Sequence, residues 1–170
     1  MKRAFLLLIL IGQIGCRERI EGKARGAIKP PEDANTLSIS LSKEEPVAGE
    51  ELEVTVIALT ASRKKATSYT GTIRFTSTDK TTILPPDYTF SPEDNGIHAF
   101  KVILKKAGEH IIRVEDIKDM DLRAEAWASV RSAGFAGLIL SGVPDRVEAG
   151  TLLTITVMAV DPFGNAACSY

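Results

Sequence analysis

Few residues in this sequence have the type and spacing that chemistry requires. There are two histidines, His98 and His110, two cysteines, Cys16 and Cys168, and one tryptophan, Trp127. No Gly-x-Ser-x-Gly, His-Glu-x-x-His, Cys-x-x-Cys or phosphate-cradling glycine loop occurs, so no nucleophile, zinc or nucleotide motif is offered. Both histidines fall in register with apolar strand residues, His98 with Phe100 and His110 with Ile112, and are read as structural. Carboxylates crowd two places, Glu93-Asp94-Asn95 and Glu115-Asp116 with Asp119 and Asp121. Calcium takes several oxygen ligands from a spaced loop, and neither cluster has that spacing, so both are read as solvated turns with no metal and no cofactor. Trp127 is read as packed in a terminal strand. No catalytic residue is assigned, and the chain is not expected to be an enzyme.

The amino terminus has a different character. Met1-Lys2-Arg3 is a basic start to an unbroken apolar run over residues 4–11. As a helix that run reaches roughly 12 Å, against a hydrocarbon core of about 30 Å, so it does not span a membrane. It has the shape of a secretory h-region, and Gly12-Gln13-Ile14-Gly15 then leads to Cys16. This stretch resembles a bacterial lipoprotein signal, in which a small residue precedes a cysteine that becomes the lipidated mature terminus; Gln13 departs from the usual leucine. The resemblance implies residues 1–16 as signal and Cys16 as the lipidation site. Residues 17–36 carry five basic and four acidic residues and the Pro30-Pro31 pair, with little to bury. They are expected to form a flexible linker spanning about 25 Å.

What must position any site downstream is β-structure. Leu52, Val54, Val56 and Ala58 occupy alternate positions, as do Ile73 and Phe75, then Phe100, Val102 and Leu104, then Ile112 and Val114. Ala124, Ala126, Ala128 and Val130 alternate too; the segment is alanine-rich enough to pass for a helix, but is read as the last strand. Turn signals separate the runs, at Pro46 with Gly49, Pro85-Pro86-Asp87, Asp94-Asn95-Gly96 and Ala107-Gly108. About seven short strands predict an antiparallel sandwich. Phe75, Phe100, Val54, Val56, Val102, Ile112 and Val114 are its expected core, with no cysteine between residues 37 and 131 to staple the sheets.

The chain also repeats itself. A shift of 101 residues sets Ala48-Gly49 on Ala149-Gly150, Leu52 on Leu153, Val54 on Ile155, Thr55-Val56 on Thr156-Val157 and Ser68-Tyr69 on Ser169-Tyr170. Eleven of thirty-three positions are identical without a gap. Residues 37–131 are therefore one repeat and residues 138–170 the opening of a second. Cys168 falls on Thr67, so the fold requires no thiol there. Two strands with an open apolar face are marginal in water, so the reading frame is expected to be truncated.

Val47-Ala48-Gly49 before a Thr/Val strand, Tyr69-Thr70-Gly71-Thr72-Ile73-Arg74-Phe75-Thr76-Ser77, the stretch Leu84-Pro85-Pro86-Asp87-Tyr88-Thr89-Phe90, and Asp161-Pro162-Phe163-Gly164-Asn165 resemble bacterial immunoglobulin-like repeats of the filamin and invasin type. The resemblance implies an all-β, immunoglobulin-like antiparallel β-sandwich followed by the first strands of a second repeat. The first repeat has Thr60-Ala61-Ser62-Arg63-Lys64 where the second has the Asp-Pro-Phe-Gly-Asn turn, so its loop is expected to differ. A lipid-anchored cell-envelope protein follows, on the outer-membrane, periplasmic or cell-surface side, with tandem repeats serving as a stalk or an adhesion module. Its partners would be the membrane through the N-terminal lipid, and other surface proteins or glycans. The alternative is the spacer region of a larger secreted or surface enzyme of the hydrolase type. A carbohydrate-binding module would need exposed aromatics, for which only Tyr88, Phe90 and Trp127 are available. With 21 basic and 22 acidic residues in 170 and a net charge of -1, nucleic acid is not an expected partner.

Overall fold

The computed structural model describes residues 33–167. The signal over residues 1–16, Cys16, most of the linker and Cys168 lie outside them. The described elements run β1 (Thr36–Leu41), β2 (Glu51–Leu59), β3 (Thr72–Ser77), β4 (Tyr88–Thr89), a 3₁₀ turn (Pro92–Asp94), β5 (Ile97–Ile103), β6 (Gly108–Asp116), β7 (Arg123–Val130), β8 (Gly137–Ser141) and β9 (Thr156–Val160). The first seven strands form two antiparallel sheets, β1-β2-β5 and β4-β3-β6-β7, packed as an immunoglobulin-like sandwich. β8 and β9 pair as a separate two-stranded sheet.

Period-two alternation decides which side chains the sandwich hides. In β2, Leu52, Val54, Val56 and Ala58 are buried, with Glu53 and Thr55 between them facing outward. Ile73 and Phe75, Phe100 and Val102, and Ile112 and Val114 do the same from the other strands, so every expected core residue lies in one cluster. Phe75 and Phe100 meet edge to face between the two sheets, ring centroids 4.9 Å apart. Each such burial is worth about 1.5–3 kcal/mol, and this packing holds the sheets together without a disulfide.

One detail differs from the sequence reading and a second adds to it. The sandwich begins before residue 37: Thr36 is already in β1, the Asn35 amide donates to the Leu59 carbonyl at 2.7 Å, and Ala34 packs on the core. Ala34 and Leu37 supply the apolar contacts, which composition averaged over a polar stretch obscures. The chain then leaves the β1-β2-β5 sheet and runs along the free edge of β7. The Ser129 amide donates to the Glu44 carbonyl, Arg131 to Pro46, and Ala48 to Arg131. That crossing covers the edge that β7 would otherwise present to solvent.

The 101-residue repeat is exact in register. Leu37 faces Ala58 across β1 and β2, and Leu138 faces Ala159 across β8 and β9; Thr36 and Leu59 correspond likewise to Gly137 and Val160. Burial separates the corresponding residues Leu37 and Val56 from Leu138 and Val157. Leu37 and Val56 are 4% and 0% exposed, whereas Leu138 and Val157 are 53% and 56% exposed. The difference is the opposing sheet: the β4-β3-β6-β7 sheet covers the first pair, and no strand among the described residues covers the second.

At the end of β6 the Tyr69 hydroxyl donates to Asp116 Oδ2 at 2.5 Å, while Asp116 Oδ1 accepts from the Lys118 and Asp119 amides at 2.7 and 3.0 Å. Burial, then the neighbouring carboxylate, raises the Tyr69 phenol well above its ordinary pKa. A Cβ on Gly71 would stand 2.1 Å from Asp116 Oδ2 and 2.3 Å from the Tyr69 hydroxyl, whereas one on Gly137 would meet nothing within 4 Å. Gly71→Ala is therefore expected to cost about 2 kcal/mol or more in urea unfolding, with Gly137→Ala within about 0.5 kcal/mol of the parent. Equal stabilities would show that the close approach at Gly71 does not constrain the fold.

Candidate functional site at the joint between repeats

The densest polar construction among the described residues lies where the second strand pair meets the first sandwich. It is built on the turn Asp161-Pro162-Phe163-Gly164-Asn165 that follows β9. Asp161 is buried, and its Oδ1 accepts the Phe163 and Asn165 amides at 2.9 and 2.8 Å, an Asx-type turn favoured by aspartate. Its Oδ2 accepts the Ala133 amide at 3.0 Å and the Asn165 side-chain amide at 2.8 Å. The same Asn165 Nδ2 donates to the Lys105 carbonyl at 2.8 Å, and Asn165 Oδ1 accepts the Ala107 amide at 3.0 Å. Asn165 thus uses both halves of its carboxamide on the loop between β5 and β6. The Phe163 ring lies against Gly49, where any added Cβ would stand 2.3 Å from the ring. Gly49 also has φ +84, so the tight turn and the close ring both demand glycine.

A second buried carboxylate grips that loop from the other side. Asp79 Oδ2 accepts the Lys105 and Lys106 amides at 2.9 and 3.1 Å, and its Oδ1 accepts the Thr81 amide and hydroxyl at 2.8 and 2.6 Å. Burial opposes its charge, but these donors, Thr81 foremost, outweigh it and hold the Asp79 carboxyl well below the ordinary carboxylate range. Burial likewise opposes the Asp161 charge, and its Asn165, Ala133 and Phe163 donors win there too. Three amides in a row, Lys105 to Ala107, are consequently fixed by Asp79 and Asn165. Its carboxylates and carboxamide are spent on holding the chain, and what the arrangement can do is hold one repeat against the next.

The first repeat contains the same turn with different side chains. The Thr60 amide donates to the Lys64 carbonyl and Arg63 to Thr60, matching Asp161 with Asn165 and Gly164 with Asp161. The expected change in this loop is therefore corrected: the backbone is retained. Thr60 Oγ1 accepts the Lys64 amide at 3.3 Å in place of the Asp161 carboxylate, and Arg63 takes φ +59 where Gly164 takes +81. Hydroxyl and carboxylate both supply the acceptor that the turn needs, and one left-handed non-glycine residue is a modest strain. Lys64 has no carboxamide, so only the second turn can grip a neighbour as Asn165 does.

The other singled-out residues are placed as follows. His98 stacks on Tyr88, centroids 4.2 Å apart, and its Nδ1 lies 3.0 Å from Asp94 Oδ1. His110 is buried with Nδ1 3.2 Å from the Thr78 hydroxyl. Both rings are thus engaged with neighbouring side chains of the sandwich. The acidic turns are not merely solvated. Asp94 accepts from the Ser91 amide and the Tyr88 hydroxyl, and Asp116 from Tyr69, so these carboxylates serve the fold. Among the described residues no group of three His, Cys, Asp or Glu could hold a metal ion. Phe90 is buried and Tyr88 packed, but Trp127 is 64% exposed, contrary to the packed reading. With Ala126 and Ala128 turned inward on β7, period two forces Trp127 outward. Asp79 was missed altogether; Asp79-Lys80-Thr81 is an Asx-turn pattern, a weak signal among many.

No protein-family model matches this chain, and no curated protein sequence matches it. Solved structures do. The chain resembles the Escherichia coli adhesin FdeC with a TM-score of 0.54 at 15% identity, over 81% of this chain and 44% of that one. It also resembles domains 4–9 and domains 5–6 of the surface-layer protein SbsC, each with a TM-score of 0.45 at 16% identity over 79% of this chain, covering 21% and 65% of those chains. The chain thus spans less than half of the FdeC structure that it matches. At that identity the FdeC likeness supports the immunoglobulin-like fold. No helix among the described residues is long and apolar enough to cross a membrane.

Asp79 gives the joint a defined pH response. Its carboxyl titrates lower in the folded chain than the ordinary 3.8, so its contribution is complete above that pH and is lost as pH falls below it. Asp79→Asn is expected to cost about 2–3 kcal/mol at neutral pH and to make stability fall less steeply in acid. Parallel stability–pH curves for the variant and the parent would refute this assignment.

Proposed function

We propose that this is a lipid-anchored protein of the cell envelope whose immunoglobulin-like repeats act as a non-catalytic stalk or adhesion module. The observation that carries the reading is the joint. A stalk must resist bending where its units meet, and rigidity there needs more than one point of attachment. Asn165 supplies two hydrogen bonds to the β5–β6 loop, Phe163 seats on Gly49, and Asp161 ties the turn back to Ala133 in the connecting segment. Several separate contacts oppose bending where a single one would act as a hinge. The fold supports the same role: its polar effort is spent on holding backbone, and FdeC, which shares the fold, is described as an adhesin.

Anchoring is assigned to Cys16, preceded by Gly15 and the apolar run over residues 4–11. Several acyl chains on one residue hold a protein to a bilayer where a single chain does so only marginally. Residues 17–36 then set the first sandwich apart from the lipid headgroups. The proposed partners are the membrane, through the lipid, and other surface proteins or glycans.

Two measurements test the two halves of this reading. Metabolic labelling with palmitate is expected to mark the parent and not Cys16→Ala; equal labelling in both refutes the anchor. In hydrogen exchange, Asn165→Ala is expected to speed exchange of the Ala107 amide by about tenfold or more while leaving the β6 core amides unchanged. Unchanged protection at Ala107 would mean that the joint is not closed in solution.

A further inference from the structure

We propose that the outer face of β6 and β7, centred on Trp127, is a docking site for a basic peptide segment of a partner protein, which seats an arginine or lysine side chain on the indole. The face is built by the strand register. Glu109 pairs with Ser129 and Ile111 with Trp127, and these four side chains share the solvent side because His110 and Ala128 between them are buried. Next to them, the hydrogen bond from the Ser129 amide to the Glu44 carbonyl brings Glu44 and Glu45 alongside β7. Glu44, Glu45, Glu109, Trp127 and Ser129 together line one concavity of about 320 Å³.

Two independent properties of this concavity point to a cation. The first is Trp127, a large indole left 64% exposed in a strand whose other faces are well packed. Indole is the best of the aromatic surfaces for a cation, and arginine stacks on it with its guanidinium plane. The second is charge. Among the described residues the lining holds three carboxylates and no basic group, while Glu50, Glu51, Asp87 and Glu125 elsewhere on the surface are paired with Lys43, Lys101, Arg74 and Arg113. Among the described residues Glu44, Glu45 and Glu109 form no ion pair. An aromatic floor with an unneutralised acidic rim complements a guanidinium or ammonium group, and repels an acidic or phosphorylated ligand. A neutral sugar would use the indole and leave the three charges unanswered. The site lies on the first sandwich and is independent of lipid anchoring and of the joint.

Trp127 is the single tryptophan of the chain, so its fluorescence reports on this face alone. The full chain titrated with a tetra-arginine amide is expected to show a saturable change in Trp127 emission. Affinity should fall steeply as salt is raised from about 20 mM to about 300 mM, because the rim charges are exposed and screened. The triple variant Glu44→Gln, Glu45→Gln, Glu109→Gln should bind about tenfold or more weakly, and Glu109→Gln alone by a smaller factor, with urea midpoints near the parent since these side chains are exposed. The absence of a saturable response to the peptide overturns the proposal. So does equal affinity in the charge-neutralised variants. Saturation by an N-acetylglucosamine tetramer without response to the peptide would overturn it in favour of a sugar platform.

Discussion

The β5–β6 loop is held by the buried Asp79 carboxylate and by the Asn165 carboxamide, which the buried Asp161 carboxylate fixes in turn, and the arrangement of the two repeats depends on it. Asp79 fixes the Lys105 and Lys106 amides from inside the first sandwich, and Asn165 takes the next amide, Ala107, from the second repeat. Neither carboxylate is neutralised by a basic side chain in these contacts. Each is instead stabilised by directed N–H and O–H donors, which hold a buried charge when they are several and well aimed. Because the donors are mostly backbone, the network specifies positions of the chain and not merely contacts between side chains. A loop with mobile amides could not present a fixed partner to Asn165.

This makes the joint a continuation of the fold. The turn that closes β9 has the same backbone hydrogen bonds as the turn that closes β2. What differs is the chemistry at its two key positions. Thr60 and Lys64 suffice to form the turn, whereas Asp161 and Asn165 form it and also reach Ala133 and the β5–β6 loop. One backbone template thus serves as a simple strand connection in one repeat and as a coupling element in the next. The aromatic Phe163 completes the second case by occupying space that only a glycine at position 49 leaves free.

The core was legible because period two is a local property. Val54, Val56, Phe100 and Val114 could be assigned inward from their neighbours alone, and the 101-residue shift extended that assignment to the register of β8 and β9. Trp127 was misread by weighing its residue type over its position, although Ala126 and Ala128 on either side already assigned it to the outer face. The opposite error affected the acidic turns. Asp94 and Asp116 look solvated in sequence, yet each accepts from neighbouring amides and from a tyrosine hydroxyl, and Tyr69 reaches Asp116 from 47 residues away.

The sequence by itself determined the strand faces, the repeat and its register, and the turn chemistry, since each depends on residues within a few positions or on a simple shift. Only the tertiary structure decided that Asn165 meets Lys105 and Ala107, sixty and fifty-eight residues away, and that Asp79 braces the same loop. It also decided that Glu44, Glu109 and Trp127 share one concavity. Such meetings depend on which sheet edge the chain crosses and how two sheets stack. No short-range pattern encodes them, because many side chains can satisfy a turn and only packing selects the one that reaches across.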